Sequence, residues 1–183
     1  MAHIDPKNEL PGIRGPMAFS PQTAIPLNAL AEVLLRDDRN TLTRGERELI
    51  GAYVSSLNDC LFCQNVHGAM AQYYMQCDMQ LIDQIKRDYF STTISDKLKA
   101  LLSIASSVQR GGKNVTTEQI EKAKLVGATD KEIHDTVLIA AAFCMFNGYV
   151  DGLATWAPHD RQFYVNRAPM RAEEGYADLD LYK

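Results

Sequence analysis

The sequence predicts an all-α protein, a helical bundle with an extended arm at each end. Three observations carry this expectation. Apolar residues recur three and four positions apart along most of the chain, which is the period of one helix face. Helix-start signals precede those runs: T-x-x-E or T-x-x-Q boxes at Thr43–Glu46, Thr116–Gln119 and Thr129–Glu132, and single capping residues at Asp78 and Ser95. Strand-like residues gather only at Tyr89–Thr93, where nothing else in the sequence offers a partner strand.

The elements follow in order. Residues 1–25 hold Pro6, Pro11, Pro16 and Pro21 with Gly12 and Gly15, and read as an extended arm rather than a helix. Pro26 to Arg36 reads as a short helix with Leu27, Leu30, Ala31 and Leu34 on one stripe. The Thr43 box starts a helix to about Leu57, with Leu49, Ile50, Tyr53, Val54 and Leu57 at helical spacing. Asn58-Asp59 is a break signal, and Asp59 is a good N-cap for a helix to about Gln76. Asp78 caps a short helix through Ile82 and Ile85 to Lys86. Ser95 starts one from Asp96 to Val108, ended by Gly111-Gly112. Thr116 starts one to Leu125, broken by Gly127. Thr129 opens the longest, to about Thr155, and it is apolar on nearly all sides, so it belongs at the centre or at a subunit contact. Residues 160–183, with Tyr164, Tyr176 and Tyr182 among charges, read as a second arm. The expectation is one domain over residues 1–183 with its core at about 27–155.

Composition narrows the function classes. With 46% hydrophobic and 23% charged residues, the chain can build an ordinary core without staples. Nineteen Lys and Arg stand against 23 Asp and Glu, a net charge of −4, and no basic patch speaks for nucleic acid. The opening residues lack the apolar run of a secretory signal, and Val137–Met145 is too short an apolar run to span a bilayer. The expectation is a cytoplasmic protein that does not enter membranes. Four cysteines, Cys60, Cys63, Cys77 and Cys144, are few for a disulfide scaffold. In a cytosolic chain a C-x-x-C pair reads as redox or metal chemistry.

That pair lies in Glu48–His67. Cys60, Cys63 and His67 follow C-x-x-C-x-x-x-H, so all three fall on one helix face. Cys60 can close a disulfide onto Cys63, and Cys63 can meet His67 one turn on. With Asp59 as cap, Cys60 would sit in the first helical turn, where exposed N–H groups and the positive helix end favour a thiolate. Glu48 stands 12 residues before Cys60, and a hairpin at Asn58-Asp59 would swing it back to orient and charge His67. Each residue also has a plainer reading. Glu48 is then a solvated charge beside Arg44 and Arg47, and the thiols are buried and inert. A zinc site would use Cys60, Cys63 and His67 as three ligands, but no second ligand pair follows, and Cys77, His134 and His159 stand alone. Cys77 and Cys144 read as packed apolar residues and His134 as surface; Tyr53 and Phe62 read as core packing or as walls of a thiol pocket, and Asn147 and Asp151 as core hydrogen bonding or as its border, with the core readings favoured.

The pattern E-x11-C-x-x-C-x-x-x-H, here Glu48, Cys60, Cys63 and His67, resembles the alkylhydroperoxidase D-like branch of the carboxymuconolactone decarboxylase family. The likeness is closest over residues 42–71 and looser over 127–154, and the two arms resemble the subgroup called peroxidase-related proteins. The resemblance implies an all-helical homo-oligomer, a dimer, trimer or hexamer, that reduces hydroperoxides without metal or other cofactor. It implies that Cys63 attacks the peroxide, Cys60 resolves the product as a disulfide, and His67 relays protons with help from Glu48. A dithiol reductant, lipoyl-linked or thioredoxin-like, would then restore both thiols. The helix-end argument alone favours Cys60 as the attacking thiol, whereas the Cys63–His67 offset sides with the resemblance. The best-studied members carry a second His between the cysteines, where this chain has Phe62. The decarboxylase branch lacks the cysteine pair. Two other functions remain open: a thiol–disulfide oxidoreductase or redox sensor with little peroxidase turnover, and a non-enzymatic helical binding protein.

Overall fold

The computed structural model describes residues 2–177. Among them are nine α-helices: α1 (Arg14–Phe19), α2 (Pro21–Arg36), α3 (Arg44–Leu57), α4 (Leu61–Met75), α5 (Met79–Asp88), α6 (Asp96–Arg110), α7 (Thr117–Leu125), α8 (Asp130–Gly152) and α9 (Arg161–Glu174). Short 3-10 turns cover Tyr89–Ser91 and Gly112–Asn114, and no described residue lies in a strand. The bundle is therefore all-α, as the periodicity predicts.

The helix starts follow from local chemistry. Thr43, Thr116 and Thr129 each accept from the backbone N–H three residues on, and Glu46, Gln119 and Glu132 reach back to the cap. Asp78 accepts from Gln80 N–H and Ser95 from Leu98 N–H. Gly111, at φ 130°, ends α6 in a conformation that side chains rarely adopt.

Three expectations need correction. The first arm is helical from Arg14 onward. Pro16 sits in the first turn of α1, where its missing N–H would have had no partner anyway, and Pro21 is preset at N1 of α2. Pro26 stays inside α2 and forfeits the bond to the Gln22 carbonyl, while Ala31, Leu34 and Leu35 of the same helix are buried. Only residues 2–13 keep an extended course, tied by His3 N–H to Leu153 O at 3.0 Å and Gly12 N–H to Trp156 O at 2.8 Å. The second arm likewise contains α9, capped by Asp160, whose buried stripe is Tyr164, Ala168 and Ala172. One large and two small residues make a faint apolar signal, and Pro169 masks it further. Tyr182 lies outside the described residues. Lastly, Asp59 does not cap α4. It sits at φ 57°, in the turn, and Cys60 itself occupies the N-cap position.

α3 and α4 form the hairpin expected from Asn58-Asp59, and α8 and α6 pack on the other side of α3. Gly51 sets how closely α8 approaches, since a β-carbon there would come within 2.3 Å of the Phe143 ring. α8 is long and apolar enough to cross a bilayer by length and composition, but 56% of that stretch is buried inside the bundle. Leu49, Ile50, Val54, Leu101, Ile104, Ile139 and Phe143 anchor a large core around these helices. A second, smaller apolar cluster lies between α4 and α9 and contains both thiols with Phe62, Met70, Val150 and Tyr164.

Candidate active site

The hairpin that joins α3 to α4 brings the four predicted residues to one end of the second cluster. Cys60 begins α4, with its N–H bonded to Ser55 O at 2.9 Å. Cys63 and His67 follow along the same helix. Asn58 is locked to α8, donating to Asn147 Oδ1 at 2.8 Å, and Asn147 donates to Ser55 Oγ at 3.0 Å. The turn that carries the thiols is thus pinned from both sides, and Asn147 belongs to that network as its buried position on α8 requires.

Glu48 points inward from α3 and is completely buried. Its Oε2 lies 2.6 Å from His67 Nδ1, so the expected carboxylate–imidazole pair is present and the solvated reading of Glu48 is not. Arg47, next to it, is also buried but turns the other way, donating to the carbonyls of Leu34 and Asp37 at the end of α2. His67 packs edge-on against Phe143, with ring centroids 4.6 Å apart.

One residue was not singled out from the sequence. Tyr176, just after α9, donates its hydroxyl to Glu48 Oε1 at 2.7 Å and lies nearly parallel to His67, with centroids 6.1 Å apart and planes at 20°. Arg171 sits 4.9 Å from the centre of the same ring. A lone Tyr among charges gives no spacing signal that could have announced this.

A cavity of about 100 Å³ opens beside these groups. Cys63 and His67 line it together with Phe62, Phe143, Phe146 and Tyr164, and the cations Arg14, Arg167 and Arg171 complete its wall. Cys60 does not face it and has no exposed surface. Phe62 both packs in the second cluster and takes part in this wall, edge-on to Tyr164, whereas Tyr53 packs on Tyr89 inside the large core. Gly12, at φ 58°, lets the N-terminal segment lie directly on Phe62, since a β-carbon would meet that ring at 2.2 Å.

Cys60 and Cys63 are both free cysteines. The Cys63 thiol is pushed well above the ordinary range, first by its neighbour Cys60 and then by burial, with Asn147 acting in the opposite direction. Low dielectric and a second sulfur thus keep the Cys63 proton in place at rest. No hydrogen bond joins Cys63 to His67 among the described residues, although both face one cavity. Tyr164 is raised to about 12 by burial, then by the sulfurs. Asp151, on the outer face of α8, interacts with Cys60 and is raised by burial. His134 is exposed and bonded to Asp135 at 2.9 Å. No group of three or more His, Cys, Asp and Glu side chains is arranged to hold a metal among the described residues.

Known proteins with this architecture provide the comparison. No family profile and no curated protein matches the chain. Among solved structures, the chain is similar to an uncharacterized peroxidase-related protein with an alkylhydroperoxidase AhpD core from Ralstonia eutropha JMP134, at 28% identity and a TM-score of 0.76 over 85% of this chain and 80% of that one. It shares its fold with an uncharacterized peroxidase-related protein from Silicibacter sp. TM1040, at 23% identity and a TM-score of 0.75 over 84% and 78% of the two chains. It also shares it with a protein of unknown function from Agrobacterium tumefaciens, at 19% identity and a TM-score of 0.69 over 79% and 96%. The all-helical fold and these likenesses support the resemblance of the chain, with its E-x11-C-x-x-C-x-x-x-H pattern, to the alkylhydroperoxidase D-like proteins.

Proposed function

We propose that the protein is a thiol peroxidase that reduces hydroperoxides through Cys63 and Cys60, with His67 and Glu48 handling protons. The observation that carries this reading is the cavity: it is largely apolar, large enough for a small organic hydroperoxide, and faced by one sulfur of a free cysteine pair and by a carboxylate-bound imidazole. The likeness to peroxidase-related proteins points the same way.

Cys63 rests as a neutral thiol, so ionisation accompanies attack. His67, bonded through Nδ1 to Glu48, takes the Cys63 proton at its other nitrogen. The thiolate attacks one peroxide oxygen, the O–O bond breaks, and the leaving alkoxide takes a proton from His67, giving an alcohol and Cys63 sulfenic acid. The Cys60 thiol then attacks the Cys63 sulfur and water leaves as the disulfide forms. An external dithiol, lipoyl-linked or thioredoxin-like, returns both cysteines to thiols by exchange and leaves as its own disulfide.

Mass spectrometry after one equivalent of peroxide tests this. The wild-type protein is expected to lose two hydrogens as a Cys60–Cys63 disulfide forms, reversibly with dithiol. Cys60→Ser is expected to stop at the sulfenic acid, and Cys63→Ser to consume no peroxide. Full multiple turnover by Cys63→Ser would overturn the assignment.

A further inference from the structure

Glu48 is completely buried, and each of its oxygens has one donor: His67 Nδ1 on Oε2 at 2.6 Å, Tyr176 hydroxyl on Oε1 at 2.7 Å. The α3–α4 hairpin fixes the first of these contacts and has no part in the second. A desolvated carboxylate needs hydrogen bonds to remain in place and charged. We infer that Tyr176 is a positioning residue of the proposed peroxidase site: its hydroxyl holds the Glu48 carboxylate that orients His67, and so sets the pH at which His67 can take the Cys63 proton. The inference rests on the reading above for its function, but its geometry stands independently.

The placement of Tyr176 is built rather than incidental. Gly175 turns the chain after α9 at φ 73°, with a packing space against Glu32 and Arg36 that a β-carbon would overfill. Tyr176 N–H then donates to Glu32 Oε2 at 2.7 Å. Arg36 bonds Glu32 at 2.9 Å and also donates to the Ala172 carbonyl. The C-terminal segment is thereby fastened to α2, and the tyrosine hydroxyl reaches across to α3. The phenol is pushed well above its usual range by burial, then by the Glu48 charge, so it stays a donor throughout the working pH range.

Among the described residues, the charged and titratable surroundings are few. α3 adds Arg47, facing α2's carbonyls; α4 adds Tyr74, bonded to Arg36; and α9 adds Arg171 over the Tyr176 ring. α2 adds Glu32 and Arg36 as a pair, and Arg14 and Arg167 stand on the cavity wall. From α8 the neighbour is the uncharged ring of Phe143. Tyr176 is thus the group that touches Glu48 opposite His67. Donation by its hydroxyl withdraws charge from the carboxylate and weakens the hold of the Glu48–His67 pair on its proton.

The test is an NMR titration of the His67 imidazole in the reduced protein, assigned with His67→Asn. Tyr176→Phe keeps the ring and removes the donor, and should move the His67 titration upward by about one pH unit. The acid limb of kcat/KM for peroxide should follow. In a Glu48→Gln background, Tyr176→Phe should move His67 no further, because the effect passes through Glu48. Replacement of Tyr176 by 3-fluorotyrosine retains the hydroxyl and makes it a stronger donor, so His67 should move downward; this arm holds even if Tyr176→Phe does not fold. An unmoved His67 titration in folded Tyr176→Phe and in the fluorotyrosine protein would overturn the inference. The two readings fail separately: a shifted His67 without peroxide turnover removes the peroxidase and leaves the positioning role, while turnover with an unmoved His67 does the reverse.

Discussion

Two histidine–carboxylate pairs stand among the described residues, and they differ in their surroundings. His134 and Asp135 are neighbours on the first turns of α8, 2.9 Å apart, with the imidazole side chain 65% exposed. Asp135 also takes Lys131 at 2.6 Å and Asn40 at 2.7 Å, so its charge is already answered. His67 and Glu48 come from two helices, lie 2.6 Å apart, and are 13% and 0% exposed. One imidazole faces water, the other a cavity that it shares with a thiol. A hydrogen bond between acid and histidine therefore marks no site by itself. Burial of the imidazole, and a nucleophile across the cavity, make the difference.

Exchange of the two histidines probes this contrast most severely. His67→Asn is expected to lower peroxide kcat/KM by about 10²- to 10⁴-fold, the usual worth of a positioned acid–base group. His134→Asn should leave steady-state kinetics within about twofold, since surface changes away from such features do little. Equal losses in the two variants would dissolve the distinction.

The carboxylates give the next contrast. Glu48→Gln should cost about 10²-fold in kcat/KM through the loss of the group that orients and charges His67. Asp135→Asn should leave kinetics intact and lower stability by about 1 kcal/mol, read as a shift in the urea midpoint, because Lys131 and Asn40 lose strength in a partner.

Cys63 sharpens the comparison through pH. Its thiol is raised, so it is neutral near pH 7, and its alkylation by a small reagent should speed up about tenfold per pH unit beyond the ordinary thiol value of about 8.5. A midpoint below pH 7 would show that burial and Cys60 do not hold the Cys63 proton. The linkage has the same sign: the native state holds this proton more tightly than the unfolded chain. The associated stability is present below about pH 8.5 and is lost as pH rises through the folded-state value.

The smallest effect concerns the wall behind His67. Gly51→Ala puts a β-carbon against the Phe143 ring, which in turn packs on the imidazole. A destabilisation of about 1–3 kcal/mol is expected from overpacking, measured by urea unfolding. The equivalent change at Gly148, which has open space, should be stabilising or neutral.

Much of this was legible in the chain itself, and the reasons are local. Thr43, Thr116 and Thr129 announce three helices because a capping box is satisfied within four residues. Cys60, Cys63 and His67 share a face because helical spacing puts them there, and Asn58-Asp59 makes the hairpin that returns Glu48. What went unread has long-range causes. α9 buries alanines, whose small surfaces carry little periodic signal, and it matters only because α4 is there to receive it. The state of Cys63 depends on the nearness of Cys60, which the spacing does encode, and on how deeply α9 and α4 bury it, which the spacing does not.

By itself, then, the sequence determined the helices from α3 to α8, the capping boxes that start three of them, and the succession of two thiols and an imidazole along α4, because each of these is settled within a few turns of backbone. Tertiary structure alone decided that Cys63 faces a cavity while Cys60 does not, that Asp59 lies in the turn instead of capping α4, and that a tyrosine 128 residues beyond Glu48 completes the carboxylate's hydrogen bonds. Those outcomes depend on which surfaces remain dry once distant segments close over one another, and no local spacing carries that information.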